Sequence, residues 1–457
     1  MEGGQRVMKE SGISKTAAVV IAAIIAAVVV GAVVYFVVPK GKVGKGAAVT
    51  QEDVAAFFQT ADEGTVTDIA QNSIPQEILS DVSKAPRKVT IGAEWFSIIE
   101  GTSWTQQCQK ALDWLLDEFP NLEAVVQTEV MPDNTIPVAE RMIREKDADI
   151  IIANTEFMAI PLKEIKDKYP DKYFVSQTNA NIEKGRNWIR YYAKQYQSTY
   201  LAGLLAGALT KTNHIGVIGA MYDVVICRRI NAFALGAQEV NPKVKVHMLY
   251  CGQWFDPPSE KEVAETLIDK FNCDVLTQQT DSAAGVKVAQ DKGVWYIGKD
   301  ADFVELGWDD WSTVATSFVV NWQVIWERIV KDYLAGDRYP ENLYFLGMES
   351  SVMTENGPLI TVDLKTRDKL GVDSISQKAK SIAGEKVLNL IERRRAQMIN
   401  GTWDPYMKEI RASGITSWER DRSLKEGQII SPAGEMPTKE ELLTGGYLVQ
   451  GIVAPSN

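Results

Sequence analysis

The chain has 457 residues, too many for one small core and enough for two lobes with additions. Hydrophobic residues make up 45% and charged residues 24%, a globular composition rather than a disordered one. Lys and Arg number 49 against 60 Asp and Glu, a net charge of -11, which argues against a nucleic-acid or anionic-membrane surface.

After a short N-terminal segment (1–16), the first readable element is AAVVIAAIIAAVVVGAVVYFVV, Ala17 to Val38, 22 residues without a charge. As a helix it is about 33 Å long, and a bilayer core is about 30 Å thick. A core helix of that length would show a polar stripe. This run has none, so a transmembrane anchor is expected over 17–38. Arg6, Lys9 and Lys15 precede it and Lys40, Lys42 and Lys45 follow it, so the positive-inside count is nearly balanced. The flank PKGKVGKGAAV is a poor cleavage site, and no cysteine follows for lipid attachment. Residues 39–87 read as a stalk, with one amphipathic piece, EDVAAFFQTADEG. No other apolar run of spanning length follows, so one anchor carries one large body.

From Lys88 onward strands and helices alternate. Short apolar strands are expected at 88–93, 121–130, 148–155, 172–178, 214–220, 244–252, 273–281 and 294–300. Helical stretches lie between most of them, such as WTQQCQKALDWLLDEF and EKEVAETLIDKF. This βαβ rhythm predicts parallel sheets covered by helices, in two doubly wound lobes divided near residue 195. Ligands in such folds sit at the carboxyl ends of the strands. TYLAGLLAGAL is the expected first helix of the second lobe. Its Gly203 and Gly207 stand four residues apart on one face, so its backbone can approach a neighbour closely.

Several chemistries are not supported. No G-x-x-x-x-G-K-[ST] loop occurs, no G-x-G-x-x-G follows a strand, and neither G-x-S-x-G nor H-E-x-x-H is present. The two histidines, His214 and His247, fall in strands and read as packing, so no metal site and no cofactor are expected. The four cysteines form no C-x-x-C pair. Free thiols are the expectation, with Cys227 and Cys251 the first pair to consider for a bridge. Asp309 and Asp310 read as a solvated loop, and ERRRAQ (392–397) as a solvated helix face.

The informative places are strand ends. TDS (280–282), KDAD (299–302) and QWFDP (253–257) close strands of the second group. ANTEFMA (153–159) and EGTSWTQ (100–106) do so in the first. They bring Trp104, Phe157, Trp254 and Phe255 near Asp281 and Asp300. Rings that clamp a flat group, with carboxylates that accept from hydroxyls, suit a nucleoside or a sugar. The competing reading is an aromatic-rich core with strand-end Asp residues as helix caps. Nothing singles out a proton-transfer group aimed at a bond, so an enzyme is not expected.

YLAGLLAGALTKTNHIGVIGA, RRINAFALGAQEVNP, QWFDPPSEKEVAETLID and CDVLTQQTDSAAGVKVAQDKGVWYIGKDADF, in that order, strongly resemble the basic membrane protein family. These are solute-binding proteins of ATP-driven importers, similar to purine nucleoside receptors. The C-terminal PAGEMPTKEELLTGGYLVQGIV also looks like the family's ending, so the resemblance covers about residues 88–452. It implies a type 1 periplasmic binding protein fold: two Rossmann-like lobes, here 88–193 with about 303–345, and 194–302 with about 346–457. It implies capture of a small ligand, a purine nucleoside first, by lobe closure, and delivery to separately encoded permease and ATPase subunits. Carried over by motif, Trp104 meets the base, Phe157 with Trp254 or Phe255 completes the clamp, and Asp281 and Asp300 are polar strand-end positions, Asp300 accepting from the ribose. Asn231 matches the Asn of an N-x-F-x-x-G helix start. Many members carry D-x-G-G before the first helix; here Glu100 and Gly101 stand in loosely. Lys299 adds a charge at the cleft. The anchor replaces the lipid-modified N-terminus of many members and places the body outside the cytoplasm, where Asn400-Gly401-Thr402 is an acceptor sequon. The alternatives are a ligand-sensing ectodomain, or a binding protein for a sugar or another small solute.

Overall fold

The computed structural model describes residues 88–177, 187–334, 343–348, 375–414, 424–437 and 447–455. The segments expected as anchor and stalk (17–38 and 39–87) lie outside the described residues. Among the described residues, no helix is long and apolar enough to cross a membrane.

The first lobe runs β1 (Val89–Glu94), α1 (Ser103–Glu118), β2 (Leu122–Gln127), α2 (Thr135–Lys146), β3 (Ile150–Ala153), α3 (Ala159–Ile165), β4 (Tyr173–Gln177) and β5 (Trp188–Ala193). The second follows as α4 (Gln195–Leu209), β6 (His214–Gly219), α5 (Val224–Val240), β7 (Lys245–Tyr250), α6 (Pro257–Phe271), β8 (Val275–Gln278), α7 (Ala284–Lys292), β9 (Trp295–Asp300) and β10 (Val314–Val319). The chain then forms α8 (Gln323–Leu334), β11 (Leu343–Leu346), α9 (Gln377–Ile399), the hairpin strands β12 (Ile410–Arg411) and β13 (Ile429–Ser431), and β14 (Ile452–Val453).

Two six-stranded sheets result, ordered β11-β5-β4-β3-β1-β2 and β10-β9-β8-β6-β7-β14. Every pairing within them is parallel. The physical cause is the sequence pattern. Parallel strands buried on both faces read as continuous apolar runs, and Ile150–Ala153 (IIIA) and Tyr173–Gln177 are buried at every residue. Strand order reverses between β1 and β3 and again between β6 and β8. Those are the points where a crevice opens at the carboxyl ends of the strands.

Residues 314–319, given above to the first lobe, form an edge strand of the second sheet as β10, paired with β9. The return to the first lobe therefore comes after Val319, through α8, which packs on α1. There Trp326 stacks on Trp95 with ring centroids 5.9 Å apart. Four tryptophans, Trp95, Trp188, Trp322 and Trp326, are among the largest fully buried side chains, so much of the tryptophan content is core.

Helix α4 is buried almost all round, and its small residues have a specific partner. A Cβ at Gly203 would lie 2.1 Å from the Phe233 carbonyl oxygen, one at Gly207 2.4 Å from that of Ala237, and one at Gly236 2.2 Å from that of Tyr200. The two backbones of α4 and α5 are in contact. The neighbour that the Gly203–Gly207 spacing anticipates is thus the helix α5. Asn231 on α5 is structural. Its amide donates to the Tyr447 carbonyl at 2.8 Å and its oxygen accepts from the Val449 amide at 2.9 Å, pinning the C-terminal segment.

All four cysteines are free, so the Cys227–Cys251 pair considered above is not bridged: Cys227 is buried in α5 and Cys251 follows β7. Asp309 is buried, accepting from the Thr313 and Val314 amides at 3.1 and 2.8 Å, a loop cap and not a solvated residue. Asn400 of the sequon is exposed at the end of α9. His214 and His247 pair across β6 and β7, Nδ1 to Nε2 at 2.7 Å.

Glu94, the last residue of β1, is fully buried and neither carboxylate oxygen has a hydrogen-bond partner. Burial raises its pKa well above the ordinary range. An unfolded Glu ionises at about 4.3. The protonated folded form therefore contributes its full stability below that pH and loses it as pH rises through the folded value. Glu94→Gln is expected to be more stable than the parent at pH 8 and equal to it near pH 4, read by urea unfolding across that range. A parallel pH profile for the two proteins would contradict it.

Candidate functional site

Three contacts hold the lobes together beside the crevice. The N-terminus of α1 meets the loop after β8, where the Ser103 amide donates to the Asp281 carbonyl at 2.9 Å. One turn on, the Gln107 side chain donates to the Val320 carbonyl at 2.7 Å. Lys110 and Glu305 pair at the rim. Between the lobes lies a cavity of about 70 Å³.

The first lobe supplies one wall. Phe96 follows β1, Trp104 opens α1, and Thr155, Glu156 and Phe157 follow β3. Gln177 ends β4 and Tyr192 lies on β5. Trp104 is fixed by its indole N–H, which donates to the Asn154 carbonyl at 2.9 Å, and by an edge contact with Trp322 at 5.3 Å. Phe96 and Phe157 lean on each other at 6.0 Å. The second lobe supplies Val225 and Arg229 from α5, Trp254 after β7, Asp281 after β8, and Lys299 on β9. Asp223 caps α5, its carboxylate accepting from the Val225 amide at 2.7 Å, and so sets the helix entry from which Val225 and Arg229 project.

Glu260 builds the loop that carries Asp281. Its buried carboxylate accepts from the hydroxyls of Thr280 and Ser282 at 2.7 and 2.8 Å and from the Asp256 amide at 3.1 Å. The Asp281 amide in turn donates to the Trp254 carbonyl at 2.9 Å, so the aromatic and the carboxylate are set by one connected loop pair.

The charges form a chain. The Lys299 ammonium lies 2.7 Å from Asp281 and 2.6 Å from Asp300, with its side chain almost fully buried. Burial works against that charge, but the two carboxylates outweigh it, and the lysine pKa is raised. Burial raises the Asp281 carboxyl too, with Lys299 pulling it back. Asp300 accepts from the Gln195 amide at 2.8 Å, and the Gln195 oxygen accepts from Arg229. Arg229, 4% exposed, also reaches the Gln279 oxygen at 3.4 Å.

Of the seven residues expected at the site, the structure brings Trp104, Phe157, Trp254 and Asp281 to the cavity wall. Phe255 is half-buried beside the loop and is not among the lining residues, and Glu100 is exposed before α1. Asp300 is fully buried outside the cavity. Lys299 lines the cavity, while the Asp300 carboxylate lies behind it, paired with the Lys299 ammonium and with Gln195 of α4. The backbone of Asp300 is left-handed, φ 64°, where the strand ends. Sequence reasoning missed Phe96, Gln177, Tyr192 and Arg229. For Gln177 the usable signal was its place at the end of an expected strand. Tyr192 sits on β5, which was not expected at all.

A family model described as ABC transporter substrate-binding protein PnrA-like matches residues 88–380. A Haloferax volcanii protein whose name assigns it glucose binding for an ABC transporter is 30% identical over 313 residues, 67% of this chain and 76% of its own. A purine-binding protein of Brucella abortus is 25% identical over 378 residues, 82% of this chain and 96% of that one. Two solved ABC-transporter solute-binding proteins share the fold. That of Conexibacter woesei has a TM-score of 0.54 at 15% identity, over 69% of this chain and 98% of its own. That of Aeropyrum pernix has a TM-score of 0.55 at 19% identity, over 68% and 92%.

Proposed function

The chain belongs to the PnrA-like family of ABC-transporter substrate-binding proteins, and from that premise we propose that its interlobe cavity captures a purine, as the nucleoside or the free base. Members bind a solute outside the cytoplasm for a transporter and are not enzymes; the present chain is a solute-binding protein of this kind. The observation that carries the purine reading is the ring set. Phe96, Trp104 and Phe157 from one lobe and Trp254 from the other bound a single cavity. A flat heteroaromatic ring fills such a slot with stacking contacts on both faces. The purine-binding relative from Brucella abortus supports the same ligand class.

Ligand that touches both lobes stabilises the closed arrangement over an open one by its differential affinity, and the closed form is what the permease receives. Residues 17–38 are proposed to anchor the protein in the membrane, with 39–87 as spacer, so that capture takes place near the transporter.

A second reading, a sugar, is favoured by the Haloferax volcanii relative and by the carboxylates Asp281 and Glu156 at the cavity. One experiment separates them. The refolded, ligand-stripped chain is unfolded thermally with inosine, adenosine, hypoxanthine, adenine and glucose. Ligand at a hundred times its dissociation constant adds about 2.7 kcal/mol of stability. A purine is expected to give that stabilisation, and Trp104→Ala to weaken purine binding by about 2 kcal/mol. Stabilisation by glucose alone would replace the purine reading with the sugar one.

A further inference from the structure

The rings fix what kind of group enters; the polar atoms around them fix which edge it presents. The hydrogen-bonding side chains at the cavity include both acceptors and donors. On the accepting side, Asp281 already receives the Lys299 ammonium at 2.7 Å, and the Glu156 carboxylate and the Thr155 hydroxyl also line the wall. On the donating side, the Arg229 Nε–H and the Trp254 indole N–H are buried and have no hydrogen-bond partner. The other two guanidinium nitrogens of Arg229 are held by Gln195 and Gln279, both neutral amides. Arg229 is thus a buried cation on the cavity wall, close enough to the carboxylates Asp223 and Asp281 to act on them by charge, whose side-chain hydrogen bonds go to neutral amides and whose Nε–H has nothing to meet. Buried donors are satisfied in a working complex, so the ligand must bring acceptors to them.

We propose that Arg229 makes the cavity selective for 6-oxopurines over 6-aminopurines, its guanidinium and the Trp254 N–H meeting the acceptor edge of the ring. This rests on the purine reading above. A 6-oxopurine presents O6 and N7 side by side as two acceptors, the pair that a guanidinium recognises with two parallel N–H bonds. A 6-aminopurine presents an NH₂ donor in place of O6. Against Arg229 that sets donor to donor and leaves buried N–H groups unpaired. The N1–H of a 6-oxopurine supplies one donor for a cavity acceptor such as Asp281. The shared chemistry is the oxo-purine ring, so the proposal covers both the free base and its nucleoside.

The test uses the full chain in detergent, unfolded and refolded to strip bound ligand, and calorimetric titration with hypoxanthine, adenine, inosine, adenosine and glucose. Hypoxanthine is expected to bind about tenfold or more tighter than adenine, or inosine than adenosine, the size of discrimination that two-pronged arginine recognition of a base edge supplies. In Arg229→Gln that ratio is expected to fall to about threefold or less. Arg229→Lys keeps the charge but not the fork, and is expected to leave the ratio low. The wild-type ranking stands without any variant, should a substitution prevent folding. Amino-purines bound as tightly as oxo-purines, or a ratio unchanged in Arg229→Gln, would overturn the assignment of Arg229 while leaving purine binding intact. Glucose bound with no purine bound would overturn both.

Discussion

Lys299→Met is expected to destabilise the protein by about 3–5 kcal/mol at pH 7, the cost of removing one partner from a buried charge pair. Lys299 lies between Asp281 and Asp300, both within 2.7 Å of its ammonium. Methionine keeps much of the volume and removes the charge, so two buried carboxylates face each other uncompensated. Burial already raises the Asp281 carboxyl, and without the Lys299 charge it rises further. As pH falls through the carboxylate range the folded variant takes up protons, and the deficit against the parent shrinks. Urea unfolding at pH 7 and near pH 4 reads both effects. Adding Asp300→Asn to the variant removes one of the two orphaned charges and is expected to restore part of the loss. A cost under about 1 kcal/mol, independent of pH, would place the pair in the class of solvent-screened surface bridges and contradict the burial argument.

Gly203→Ala is expected to cost about 3 kcal/mol, although helix propensity alone predicts a gain of about 1 kcal/mol. The two effects have opposite signs, so the measured sign decides between them. The new Cβ would sit 2.1 Å from the Phe233 carbonyl oxygen. That atom is backbone, so no rotamer change relieves the clash, and α4 and α5 must separate. Separation opens contacts at Gly207 and Gly236 as well, where an added Cβ would likewise lie 2.4 and 2.2 Å from a carbonyl oxygen of the facing helix. Denaturant unfolding of Gly203→Ala measures the net value. A stabilised variant would mean that the helices do not pack at backbone contact.

The same two regions show what a sequence reveals and what it withholds. Eight of the strands were legible because strands buried on both faces are short apolar runs, as in IIIA at Ile150–Ala153. Trp188–Ala193 was not, because Arg190 and two tyrosines interrupt any apolar run although every residue of it is buried. β14 is two residues long and exists by pairing with β7, a long-range contact that no local pattern encodes. The rule that ligands meet strand ends pointed to Trp104, Phe157, Trp254 and Asp281, which line the cavity. It could not choose between the neighbours Lys299 and Asp300, since only the fold shows that Lys299 lines the cavity and that Asp300, left-handed at the strand end, is buried behind it. Arg229 was hidden for a related reason. It lies in the apolar helix VVICRRINAFALGAQEV beside Arg228, and only the fold shows that Arg229 lines the cavity while Arg228 lies over the Tyr192 ring.

The measurement that bears most directly on purine capture is a calorimetric titration of the refolded, ligand-stripped chain with inosine and hypoxanthine, repeated in Trp104→Ala. Saturable binding of one purine per chain, weakened by about 2 kcal/mol when the Trp104 ring is removed, is the expected result. Absence of purine binding, or purine binding indifferent to Trp104, would show that the cavity between the lobes is not where a purine is held.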